Sequence, residues 1–266
     1  MRMNFIRRIV TYSDNNYDDI YSQLKRYYAS VGIDNEMDLL NVSQITRSSL
    51  EKKGYQLIEM PIEDRGISSL NYKKDGKGYV VINTSLPKSD IHFNMAHEIY
   101  HVYYGKEAYT SRLELSDEPI DQEDEYAAYL FAGMLLMPEP SFRRMYIKFR
   151  NDSNGLEIDT IVRLMNYYEA PYHAVLIRCL QFHLIERNDL NEELLNVDEA
   201  LIRNKLSDLW LDCEVLTPTN RDEYKRIATF VKRLGEKYTE EGTVTDRTVK
   251  KVLKNMDDLY DDLKGG

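Results

Sequence analysis

The run His97-Glu98-Ile99-Tyr100-His101 holds the residues best placed to do chemistry in this chain. On an α-helix, residues four apart project from one face, so both imidazoles can reach a single metal ion. The glutamate directly after the first histidine is not a ligand in this pattern. It stands beside the water on the metal and can take its proton, which is hydrolytic, peptidase-type chemistry. Catalytic zinc needs a third protein ligand and an open fourth position. The competing reading is a pair of surface or core histidines on an amphipathic helix, with no ion.

The elements that must position this pair are legible around it. Pro87 and Ser89 mark a helix start, with Ser89 as N-cap and Asp90 in the first turn. Ile91, Met95, Ile99 and Val102 keep an apolar stripe at helical spacing, and Gly105 supplies the stop. Upstream, 57–62 and 68–72 read as short strands, Asp75-Gly76 as a hairpin turn, and Tyr79-Val80-Val81-Ile82 as a third strand. An exposed edge strand beside a metal site can bind an extended peptide by strand addition.

One way to complete such a site is a histidine six residues after the second motif histidine, with glycine three after it. Glu107 and Tyr104 stand at those positions. The other is a carboxylate from a later helix. Residues 121–137 read as that helix, ended by Pro138, with Glu125 near its start. Ala128 and Ala132 would let it approach another backbone closely, while Phe131, Leu135 and Leu136 anchor it.

The two segments together resemble the ImmA/IrrE-type metallopeptidase family, whose signatures are H-E-x-x-H and a later E-x-x-A-x-x-F-A-x-x-L-L-M-P. Here the second runs from Glu125 to Pro138, and Phe93 and Ala96 lead into the first. The resemblance covers roughly residues 20–185. It implies one Zn²⁺ per chain on His97, His101 and Glu125, manganese or another divalent ion being the alternative, with Glu98 as general base. Two positions depart from it. Tyr100 stands where many members carry glycine. Tyr129 stands where an Asn or Asp often orients a ligand histidine, which leaves that support unassigned.

Composition sets the bounds. A chain of 266 residues can bury a substantial core. No apolar stretch approaches a membrane span, and the opening residues do not suit a signal peptide. The two cysteines, Cys179 and Cys213, lack metal-type spacing and read as unpaired thiols of a cytoplasmic protein. A formal charge of −10 argues against non-specific nucleic-acid binding. The stretch from Glu114 to Glu125 holds seven acidic residues and no Lys or Arg. It reads either as a solvated loop and helix N-terminus or as a rim that attracts a basic substrate.

Residues 15–31 and 34–53 are expected to form two helices, with Tyr17, Tyr21 and Tyr28 on a packing face. After the loop 151–155 comes a helix-turn-helix-like pattern: Ile158, Ile161, Leu164 and Met165, then Glu169-Ala170-Pro171, then 174–182. Its second helix offers only Arg178 as a fixed cation, so packing or protein contact suits it better than DNA reading. His173 is a candidate for stabilising an oxyanion, weighed against a hydrogen-bonded structural histidine. Residues 191–266 are helical in pattern, with a stripe Val249, Val252, Leu253, Met256, Tyr260 and Leu263 after Thr245 as N-cap.

The expected fold is therefore α+β. A zincin-like metallopeptidase core, a small twisted sheet with metal-bearing helices, occupies 1–150. A helix-turn-helix-like element follows at 151–190 and a helical C-terminal region at 191–266. The expected function is a zinc-dependent endopeptidase. The resemblance implies a narrow substrate, frequently a helix-turn-helix repressor of a phage or mobile element. The alternatives are a non-catalytic anti-repressor module on the same fold, and direct DNA regulation through 158–185.

Overall fold

A computed structural model describes residues 2–33, 41–74, 77–105 and 122–265. Helix α1 (Arg2–Val31) starts well before the expected residue 15, because Ile6, Ile9 and Val10 continue its buried stripe toward the N-terminus. Tyr28 is buried on it, and Tyr17 and Tyr21 pack against the core, as a packing face requires. Helix α2 (Val42–Lys52) is shorter than the expected 34–53. Asn41 caps it by accepting from the Gln44 N–H, which sets the first turn there.

Three strands follow. β1 (Tyr55–Met60) begins two residues earlier than expected and stops at Pro61, which has no N–H to offer a ladder. β2 (Ser69–Lys74) and β3 (Lys77–Asn83) are antiparallel, and β1 runs parallel to β3, giving the order β1-β3-β2. Asp75-Gly76 lies outside the described residues, but the flanking Lys74 and Lys77 are register partners. Gly78 is opposite Tyr55, and a Cβ there would fall 2.2 Å from that ring.

Alternation divides the sheet into two faces. Leu57, Val80 and Ile82 point inward with Ser69 and Asn71, and helices α2 and α3 (Lys88–Tyr104) cover them. Ile58, Leu70, Tyr72, Tyr79 and Val81 point outward.

Helix α3 begins at Lys88, and Ser89 is not its N-cap. Pro87 takes that position, its ring presetting φ at −51°, and Ser89 is buried inside the first turn. The helix ends at Gly105 as expected, where a Cβ would stand 2.5 Å from the His101 carbonyl oxygen. Its first turn is tied down from two sides: Lys88 pairs with Glu169 and Glu214, and His92 with Glu169, each at 3.0 Å. The His92 hydrogen bond, aided by Lys88, holds the Glu169 carboxyl down to about 2.

Asp90, in the same turn, has the opposite problem. Burial, with Glu199 nearby, raises its carboxyl to about 6. The folded protein therefore takes up this proton before the unfolded chain does, and stability falls as pH rises from about 4 to about 6. We expect Asp90→Asn to stabilise the protein by up to about 2 kcal/mol at pH 7 and to flatten that window. Urea melts at pH 4.5 and 7 would show it; an equal stability change at both would refute the assignment.

Helix α4 (Gln122–Leu136) packs along α3 and α1. Ala128 and Ala132 are fully buried, and Phe131 meets the rings of Tyr100, Tyr104 and Tyr27. Tyr100 thus fills core volume that a glycine would leave empty. Pro138 ends α4 and caps α5 (Glu139–Asp152). Then come α6 (Glu157–Tyr168) and α7 (Tyr172–Gln181), joined by the turn 169–171, with Glu169 left-handed at φ 48°. α7 is buried on nearly every position, Arg178 included. One apolar cluster runs from Ile6 through α7 to Leu216, so the core continues across residue 150.

The C-terminal part holds α8 (Glu192–Leu195), α9 (Glu199–Asp208), and a hairpin of α10 (Tyr224–Glu240) and α11 (Asp246–Leu263). Thr245 caps α11 as expected. The segment before α10 is bound to the sheet: Asn220 N–H donates to the Thr84 carbonyl and Glu223 N–H to that of Glu59, while Arg47 pairs with both Glu59 and Glu223. Cys179 and Cys213 are both free thiols. No helix among the described residues is long and apolar enough to cross a membrane.

Candidate metal centre

Helical spacing places His97 and His101 one above the other on α3, and the first turn of α4 brings Glu125 across to them. Their ligand atoms form a tight triangle. His97 Nε2 is 3.0 Å from His101 Nε2 and 3.2 Å from Glu125 Oε2; His101 Nε2 is 3.4 Å from Glu125 Oε1. Tetrahedral zinc with bonds of about 2.0–2.1 Å sets neighbouring ligands about 3.3–3.4 Å apart. The triangle matches that spacing, and its N, N, O donor set suits a divalent ion of borderline softness. Among the described residues these three are the group that can hold a metal.

The support that Tyr129 leaves unassigned comes from the residue before the third ligand. Asp124 is buried, and its Oδ2 lies 3.2 Å from His101 Nδ1. A proton on Nδ1 donated to that carboxylate leaves the Nε2 lone pair facing the triangle. Burial works against the charged form of His101. The Asp124 hydrogen bond and the charges of Glu98, Glu125 and Asp124 outweigh it and raise the imidazole above its ordinary pKa. Tyr129 instead packs its ring at a tilt against Phe93, 4.6 Å between centroids, beside the core. The sequence signal for Asp124 was present in the Asp124-Glu125 pair on a helix opening. We expect Asp124→Asn to weaken metal affinity about 10–100-fold with the fold intact. Chelator competition measures this, and wild-type affinity in the variant would remove Asp124 from the site.

Glu98 is buried on the same helix, between the histidines and the edge strand. Ser69 Oγ donates to Glu98 Oε1 at 2.5 Å and Asn71 Nδ2 to Oε2 at 3.1 Å. Both donors sit on the inner face of β2, two residues apart, so one strand grips the carboxylate by both oxygens. Each oxygen keeps another lone pair for an incoming proton. Sequence reading missed this pair, although polar residues at alternate positions of an edge strand were its signal. Residues 106–121, which include Glu107 and the acidic residues Glu114, Asp117, Glu118 and Asp121, lie outside the described residues. Glu123, Asp124 and Glu125 form the acidic first turn of α4.

His173 is not brought to this centre. Its Nε2 lies 3.2 Å from the Leu195 carbonyl oxygen, a contact between α7 and α8. Arg178, the cation of α7, is buried and donates to the Met137 carbonyl and to Gln181.

A mixed α and β domain with two helix histidines and a glutamate converging on one point defines a metallopeptidase-like domain. Residues 50–180, about half the chain, match the family model described as the IrrE N-terminal-like domain, Peptidase_M78. The chain belongs to the ImmA/IrrE-type family. No curated protein and no solved structure matches it.

Proposed function

We propose that this protein is a zinc-dependent endopeptidase of the zincin type. The observation that carries the reading is the triangle of His97, His101 and Glu125, with the Glu98 carboxylate beside it on the same helix. When bound there, the ion supplies Lewis acidity, activating water and balancing charge on the scissile carbonyl. Glu98 takes the proton of the attacking water and passes it to the leaving nitrogen. Ser69 and Asn71 hold the carboxylate in place for both transfers. Asp124 fixes the His101 ring.

Substrate enters, in this reading, as an extended strand beside β2, the strand at the sheet's edge, whose inner face already touches Glu98. The family resemblance supports a narrow target, a helix-turn-helix repressor of a phage or mobile element. Burial of Arg178 and of α7 generally supports a protein partner over DNA, with α6 and α7 as a structural helix-turn-helix-like element.

The test is metal content by mass spectrometry on protein purified without added metal. We expect about one zinc per wild-type chain and its loss from His101→Ala and Glu125→Ala. A folded wild type that takes up no zinc when offered it defeats the proposal.

A further inference from the structure

The outer face of the sheet is covered by the α10–α11 hairpin, but not filled by it. A cavity of about 300 Å³ remains between them, bordered by Ile58, Leu70 and Val81 from the strands and Ile227, Met256 and Leu263 from the helices. No charged side chain lines it; Tyr72, Tyr79, Tyr224 and Tyr260 border it, and the side-chain amide of Asn71 is turned to Glu98 on the other face.

The hairpin is fastened at its base. The Glu63 N–H donates to the Leu263 carbonyl at 2.9 Å, and the Glu223 N–H to the Glu59 carbonyl at 2.9 Å, so the start of α10 and the end of α11 are tied to β1 and the segment that follows it. At the hairpin base Tyr224 and Tyr260 stack with centroids 3.9 Å apart, their hydroxyls taken by Asp257 and Asp222. No residue of α10 or α11 is fully buried; Val249 packs against Gly235 of α10, while Met256, Leu259 and Leu263 of α11 border the gap.

We propose that this cavity is a binding site for a neutral, apolar small molecule. Size excludes a further helix, since even two turns are about 10 Å long and about 10–12 Å across, far more than this volume. An apolar cavity of about 150 Å³ holds one benzene, so about 300 Å³ takes a two-ring aromatic or a short aliphatic chain of roughly a dozen heavy atoms. The absence of charge in the lining selects against ionised ligands, because nothing there would compensate their desolvation. The site is separate from the metal centre but shares a strand with it: β2 borders the cavity on one face and grips Glu98 with the other.

The test uses the whole chain and 1-naphthylamine, which is neutral at pH 7 and brightens when it leaves water. We expect saturable binding of about one molecule per chain. Val81→Phe, filling the cavity from the sheet, and Ile227→Phe, filling it from the hairpin, should each weaken binding at least tenfold while circular dichroism stays unchanged. Using both guards against one variant misfolding. Absence of saturable binding to the wild type, or equal binding by both folded variants, overturns the proposal. So does a dimer in sedimentation that the probe dissociates, which would assign the cavity to a second copy of the chain.

Discussion

Glu98→Gln is expected to abolish proteolysis, by at least about 10²–10⁴-fold, while zinc content and melting temperature stay at wild-type values. The substitution removes the proton acceptor and its negative charge while keeping the size and shape of the side chain. A glutamine in this place can accept from Asn71 with its oxygen and donate to the Ser69 hydroxyl with its nitrogen, so neither partner on β2 is left unpaired. Glu98 is also outside the ligand triangle. With the substrate unidentified, the readout is the set of new protein N-termini found in cells carrying the wild type and absent from cells carrying the variant. A cleaved repressor in that set fits the proposed function. Derepression that persists in the variant, with no new termini in either strain, would favour a docking module that has kept the fold without the chemistry.

Arg178→Ala is expected to destabilise the fold by about 3–5 kcal/mol, lowering the melting temperature by on the order of 10 °C. The guanidinium is almost fully buried. It donates to the Met137 carbonyl at 3.0 Å and to Gln181 at 2.7 Å, and lies 4.2 Å over the Phe182 ring. Burial depresses its pKa, opposed by Tyr17 and Glu139. Truncation leaves a void, an unpaired carbonyl where α4 ends, and a Gln181 side-chain oxygen without its donor. Arg178→Met refills most of the volume and should recover part of the loss. A DNA-reading arginine would behave in the opposite way, with unchanged stability and weakened duplex binding. An Arg178→Ala protein that melts with the wild type would overturn the structural role.

These two residues mark how far the sequence could be read. Glu98 declares itself because its neighbours in sequence are its neighbours in chemistry: His97 and His101 share its helix, and helical period alone sets their common face. Glu125 came from a later segment, but with a long signature attached. Strand positions were legible from apolar alternation, with errors of two residues where Pro61 ended a ladder and a larger one where Asn41 began a helix. Arg178 shows the limit. In sequence it is one cation on a second helix, and only the packing of α1, α4 and α6 around α7 makes it an interior residue. Ser69, Asn71 and the cavity behind them were hidden for the same reason, since strand order and the placement of the hairpin are tertiary facts.

Asp124 and Glu125 are consecutive residues in the first turn of α4, and both reach histidines of α3. Consecutive side chains on a helix diverge by about 100°, so the two contacts bear on α4 from different directions. Rolling the helix either way to shorten one contact lengthens the other. The helix is keyed like a shaft with two flats, and has one angular setting at which ligand and support both engage. Only movement of α4 away from α3 lengthens both contacts at once, so the ligand and the carboxylate that orients His101 depend on the same seating of one helix.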